Sequence, residues 1–185
     1  MTGRHGATAQ IRPRAWARIF CALAALHLGL QGAADAASDS GKNAAALPVP
    51  RFVSLKSDRV NVRGGPTKDH EVTWVYTRAG LPVEITAEFE NWRRIRDWEG
   101  AEGWVYHSLL SGRRTAVVVS KNKSELVPVM AKPDAGSDVT ASLEPGVVGS
   151  VKSCSGTWCH FIGEKFDGWI RQERLWGVYP NETID

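Results

Sequence analysis

The sequence predicts an all-β fold: two tandem small barrels that follow an N-terminal signal peptide and a flexible tether. Two observations carry the barrels. Between Phe52 and Tyr179 the apolar residues fall in short runs of period two, among them Val60 and Val62, Trp74 and Tyr76, Val83 and Ile85, and Val127 and Val129. Gly, Pro, Asp and Asn separate these runs, and no stretch keeps a 3.6-residue stripe for three turns. That is the pattern of antiparallel strands. The second observation is an internal repeat. Val62 to Pro66 and Val129 to Pro133 both span four residues, and the distance from each Val to the next shared Trp (Trp92, Trp158) is 30 and 29. From there to Trp104 and Trp169 is 12 and 11 residues, and on to Leu109 and Leu175 is 5 and 6.

Residues 1–36 are expected to be a signal peptide. A basic stretch ending at Arg18 precedes the apolar run Ile19 to Leu30, and Ala34-Asp35-Ala36 offers the small residues of a cleavage site. The run is 12 residues long, short of the ~20 that a membrane-spanning helix needs. No transmembrane anchor is therefore expected after cleavage, and the mature chain is expected to be periplasmic or secreted. Residues 37–50 are rich in Ala, Ser, Gly, Asn and Pro and read as a flexible tether.

Residues 51–112 form the first repeat and 121–180 the second. Gly64-Gly65-Pro66 can turn the chain sharply, and Gly80 and Gly146 suit tight bends into the next strand. Gly103 and Gly168, each just before a Trp, predict a strand bulge or a close approach of another backbone. Residues 113–120 hold Thr-Ala-Val-Val-Val-Ser, too apolar for a free linker. They are expected to form a connecting strand packed between the repeats.

Hydrophobic and charged contents of 43% and 23% are those of a soluble globular protein. The net charge of +3 resides in the leader; without residues 1–36 the chain holds 19 basic and 19 acidic side chains. Phosphate neutralisation needs clustered Lys and Arg, so nucleic acid is not an expected partner.

The landmarks resemble the bacterial SH3 (SH3b-like) family. Asn61-Val62-Arg63-Gly64-Gly65-Pro66 and Gly103-Trp104-Val105 match its N-V-R-x-G-P start and G-W-V end. Val72-Thr73-Trp74-Val75-Tyr76, Gly80 to Glu84, Asn91 to Ile95 and Trp176 to Pro180 are similar to a subgroup exported by Gram-negative bacteria. The second repeat lacks the N-V-R and has Met130-Ala131-Lys132 where the first has Arg63-Gly64-Gly65. The resemblance implies SH3-like barrels of five or six strands and a non-enzymatic role. Members of the family bind cell-wall peptides or other proteins, or deliver an attached hydrolase to the wall.

Seven Trp remain after the leader. Trp92, Trp104, Trp158 and Trp169 recur in both repeats and are expected in the cores, since a domain of ~60 residues needs large side chains to fill it. Trp74, Tyr76, Trp98 and Tyr106 occur only in the first repeat and are the candidate ligand-binding residues, because SH3 barrels hold extended peptides in aromatic grooves. Arg63 and Arg94 are read as structural ion-pairing residues rather than ligand contacts.

Cys154 and Cys159 flank a short turn and are expected to form a disulfide. His160 beside them raises a zinc site or a Cys–His nucleophile, but zinc usually takes four ligands and no second pair exists in the sequence. No metal and no cofactor is expected. Glu84, Glu88 and Glu90 alternate along one strand and read as a solvated face rather than paired catalytic carboxylates. The expected function is that of an exported, non-catalytic binding module for a cell-wall peptide or an envelope protein. The alternatives are a structural or dimerising scaffold of the envelope and, behind both, a small cell-wall hydrolase accessory.

Overall fold

The computed structural model describes residues 47–185, so the signal peptide and most of the tether lie outside the described residues. The first repeat contains β1 (Arg51–Leu55), β2 (Val60–Arg63), β3 (Val72–Tyr76), β4 (Pro82–Phe89), β5 (Trp92–Arg96), β6 (Glu102–Tyr106) and β7 (Leu110–Ser111). The second contains β8 (Thr115–Val118), β9 (Val127–Met130), β10 (Val139–Leu143), β11 (Val148–Ser155), β12 (Trp158–Ile162), β13 (Asp167–Arg171) and β14 (Leu175–Trp176). A single 3₁₀ turn precedes the last strand of each repeat. No helix among the described residues is long and apolar enough to cross a membrane.

Two antiparallel sheets result, ordered β3-β2-β6-β5-β4-β1-β7 and β10-β9-β13-β12-β11-β8-β14. The orders are identical when each strand of one is replaced by its counterpart seven places on. Each sheet curls around its own core. Val53, Leu55, Val60, Val62, Val83, Ile85, Ile95 and Val105, drawn from β1, β2, β4, β5 and β6, meet in one buried cluster. Ala116, Val118, Val127, Val129, Val151, Phe161 and Ile170 do the same in the second.

The expected connecting strand is corrected by the pairing. β8 runs antiparallel to β11 and β14 within the second sheet, as β1 does to β4 and β7 in the first. Leu55 and Val118 make matching backbone bonds, with Leu81 and Gly80 in one repeat and Val147 and Gly146 in the other. The offset between copies is 63 residues here and 67 at Val62 and Val129, so the second repeat holds four extra residues between its first two strands. That insertion breaks the spacing.

The shared tryptophans are also corrected. In β6 and β13 burial alternates so that Gly103 and Val105, and Gly168 and Ile170, face inward while Trp104 and Trp169 face outward and stay half-buried. Trp158 is likewise half-buried, and only Trp92, at 8% exposure, is buried. None of the four belongs to a core cluster. Close packing explains the glycines. A Cβ on Gly103 would collide with Val62, and one on Gly168 would stand 2.6 Å from the Met130 carbonyl oxygen and 2.7 Å from Val129. The neighbouring strand occupies the space a side chain needs.

Where the repeats meet, Phe52 of β1 packs edge-on against Trp176 (4.9 Å between centroids) and at a tilt against Tyr179 (4.6 Å). Tyr179 donates to Glu84, which also receives Arg96. The solvated-face reading of the glutamates fails at Glu84, which is 4% exposed. A bulge between Ile85 and Ala87 shifts the register, so Glu84 and Glu88 fall on opposite faces of β4. Glu88 then pairs with Arg51 and Arg93, and Glu90 sits in the hairpin turn with φ of 47°.

Candidate functional site

The aromatic residues special to the first repeat divide into two groups. Trp74 and Tyr76, two residues apart on β3, point the same way and meet edge to face at 6.1 Å. Their partners across β2 are Val62 and Val60, both fully buried. Tyr76 is therefore driven into the barrel end and is only 9% exposed. Its hydroxyl donates to Oδ2 of Asp97 at 2.8 Å. Asp97 is itself buried and accepts the backbone N–H groups of Glu99 and Ala101 on Oδ1, which closes the β5–β6 turn. Burial, followed by the hydrogen bond and the negative charge of Asp97, holds the Tyr76 phenol well above its ordinary pKa.

Trp98 follows Asp97 and lies half-buried at the edge of the same core, as Trp74 does. Trp74 thus touches Tyr76, and Trp98 adjoins in sequence the Asp97 that Tyr76 bonds. Tyr106 is elsewhere: it packs edge to face on Trp92 at 5.4 Å and against His107 at 5.0 Å. The structure brings Trp74 and Tyr76 into contact, sets Trp98 against the same core beside Asp97, and places Tyr106 on Trp92 instead.

Register gives the counterparts in the second repeat. Ala141 and Leu143 stand where Trp74 and Tyr76 do, opposite Val129 and Val127. Gly163 and Glu164 open the turn that Asp97 and Trp98 open in the first, each turn closed by a bond from its first backbone N–H to its last carbonyl. Arg171 replaces Tyr106 and lies over the Trp158 ring at 4.4 Å, a cation–π contact in place of an aromatic pair. His160 and Asp167, 2.6 Å apart, take the places of Arg94 and Glu102, and the His160 ring stacks on Trp169 at 5.0 Å.

Arg63 and Arg94 are engaged internally. Arg63 donates to the carbonyls of Lys68 and His70 at 3.0 and 2.6 Å and so ties down the β2–β3 loop, while Arg94 pairs with Glu102. The second of these is the ion pair the sequence reading expected; the first is a loop clamp instead.

A disulfide joins Cys154 and Cys159, which face each other across the β11–β12 hairpin. Both are at most 1% exposed, because the chain end returns and Ile184 exchanges two backbone hydrogen bonds with Cys154. Glu88 and Arg93 hold the same two positions in the first repeat, joined there by an ion pair at 2.9 Å. Among the described residues no group of three or more His, Cys, Asp or Glu is placed to hold a metal ion.

Among solved structures the chain is similar to NlpC2 from Trichomonas vaginalis, with 9% identity over 71% of this chain and 49% of that one and a TM-score of 0.32. It is also similar to NlpC1 from Trichomonas vaginalis, with 9% identity over 70% and 46% and a TM-score of 0.31. The chain spans about half the length of these two. No curated protein matches the sequence. A family model described as bacterial SH3 domain matches residues 56–112 and 123–177, once on each barrel, and the chain belongs to that family.

Proposed function

We propose that this protein is an exported, non-catalytic binding module that recognises a cell-wall peptide or an envelope protein through its first repeat. The observation that carries this reading is the difference between two otherwise matching barrels. Trp74, Tyr76 and Trp98 border the core of the first, where the second has Ala141, Leu143 and Glu164. The shared fold needs no such set. Half-exposed indoles beside a rigid core offer a ligand apolar area at small entropic cost, and the Tyr76–Asp97 bond stiffens that core. Tyr76 acts beneath the surface, and Trp74 and Trp98 are the contact residues. The two SH3 domains take up almost all of residues 51–180, which supports binding rather than turnover. A buried disulfide is at home outside the cytoplasm, and Trp176 to Pro180 is similar to a subgroup of exported Gram-negative proteins.

Co-sedimentation with peptidoglycan and capture from an envelope extract test the reading. Trp74→Ala with Trp98→Ala is expected to abolish retention while near-ultraviolet circular dichroism shows a folded chain. Full retention by that folded variant excludes this surface.

A further inference from the structure

A cleft of about 900 Å³ lies where the β3–β4 loop of the first repeat faces β11 and the β12–β13 turn of the second. Four cations line it: Arg78 from the β3–β4 loop, Arg113 from the link between β7 and β8, Lys152 from β11 and Lys165 from the β12–β13 turn. Glu164 is the one acid on its wall. All four cations are exposed, and none forms an ion pair among the described residues. Elsewhere Arg51, Arg93, Arg94, Arg96, Arg114 and Arg174 each hold a carboxylate. The mature chain is formally neutral, so this excess is local.

The backbone sets the charges in place. Lys152 falls in the bulge where the β11 register slips between Val151 and Ser153, and bulges re-aim side chains. Gly80, with φ of 77°, leaves room for the Arg113 guanidinium, which lies 3.0 Å from where a Cβ would be. Beneath the charges the wall is apolar. Val148 packs on the core of the first repeat, and the Phe166 ring lies 5.1 Å from that of buried Phe161.

We propose that this inter-repeat cleft binds an acidic peptide, a segment of a few residues bearing two or more carboxylates. Charge complementarity sets the sign: unpaired cations from both repeats focus an anionic ligand between them. Arginine adds two-pronged hydrogen bonding to a carboxylate. Size and floor set the class. The volume is at the upper end of ligand pockets, which run ~300–1,000 Å³, and exceeds what one phosphate fills. Val148 and Phe166 reward side-chain carbon, which an inorganic anion lacks. The site is separate from Trp74 and Trp98 and does not depend on them.

Fluorescence anisotropy of a labelled hexaglutamate peptide, titrated with the full chain in low salt, tests this. Saturable binding that weakens as salt rises is expected. Arg113→Glu with Lys152→Glu is expected to weaken it by at least roughly tenfold, and Arg113→Gln with Lys152→Gln by less. Lys68→Glu with Lys132→Glu, the same charge change on the β2–β3 and β9–β10 loops, is expected to leave it unchanged. Trp74→Ala with Trp98→Ala is expected to leave it unchanged too, which separates this site from envelope capture. Should the charge-reversed pair fail to fold, the glutamine pair gives the readout. Absent saturable binding, an equal loss in the loop-lysine variant, or displacement of the peptide by lower concentrations of tripolyphosphate than of unlabelled hexaglutamate would overturn the proposal.

Discussion

Tyr179 of the second repeat donates its phenolic hydrogen to Oε1 of Glu84 in the first, at 2.9 Å. Nε of Arg96 donates to Oε2 of the same carboxylate at 3.0 Å. A glutamate this buried needs both partners, because a buried charge left unpaired is costly. Tyr179→Phe removes one of them and keeps the ring on Phe52. Hydrogen bonds to charged groups contribute ~1.5–3 kcal/mol, and Arg96 remains, so a loss of about 1.5 kcal/mol is expected in urea unfolding. The double variant Glu84→Gln with Tyr179→Phe is expected to cost less than the sum of the singles. Strict additivity would mean that the bond does not couple the repeats.

Alkaline pH probes the same bond and its counterpart at Asp97. Burial first, then the neighbouring carboxylate, raises the pKa of both Tyr179 and Tyr76 in the folded chain. The unfolded chain releases these protons near the ordinary phenol value of about 10. Above that pH the folded state binds more protons than the unfolded state, so stability falls as pH rises. Stability measured against pH is expected to hold below about 10 and decline above it. Tyr76→Phe and Tyr179→Phe are each expected to flatten the decline. An unchanged slope in both variants would assign the decline to other groups.

Much of this fold is legible in the spacing of Val62, Pro66, Trp92 and Trp104 against Val129, Pro133, Trp158 and Trp169, because strand lengths and turn positions repeat. Gly103 and Gly168 announce a crowded backbone, and Val62 and the Met130 carbonyl fill the space a Cβ would need. The disulfide is legible as well, since a six-residue segment closing a hairpin sets Cys154 opposite Cys159. The place of β8 is hidden, because four inserted residues after Val118 shift its offset. The burial of Glu84 is hidden too. It depends on a bulge at Thr86 and on Tyr179, ninety-five residues on, and neither leaves a local pattern. Tyr76 and Tyr106 look alike in sequence, yet the first is held against Asp97 and the second against Trp92.

The disulfide closes a short loop, and the chain-entropy relation gives ~2 kcal/mol for one of this size. Cys154→Ala with Cys159→Ala is expected to lower stability by about that amount. The peptide containing both cysteines is expected to be lighter by two hydrogens before reduction than after it. Free-thiol labelling of Cys154 in the native chain would contradict the pairing. Burial under the returning chain end also predicts slow reduction until denaturant is added.

Gly168→Ala places a methyl group 2.6 Å from the Met130 carbonyl oxygen, so β9 or β13 must move. Overpacking of this kind costs ~1–3 kcal/mol. Gly112→Ala meets nothing within 4 Å and is expected to be neutral, or to gain up to ~1 kcal/mol from the unfolded state. Equal stability of the two variants in urea unfolding would show that the strands do not approach as closely as described.

The outward placement of the shared tryptophans makes a prediction opposite to the one their size suggests. If Trp104 and Trp169 filled the cores, truncating either would cost ~3–5 kcal/mol, the range for a fully buried aromatic. Each instead faces outward between two inward-facing neighbours, Gly103 and Val105 or Gly168 and Ile170, and stays only half-buried. Only part of the area lost on truncation was removed from water by folding. Trp104→Ala and Trp169→Ala are therefore expected to cost ~1–2 kcal/mol each. Phe161→Ala, which empties a fully buried site that Gly149 and Phe166 pack against, is expected to cost ~3–5 kcal/mol. Urea unfolding of the three variants orders them. A smaller cost for Phe161→Ala than for either Trp variant would return the indoles to the core.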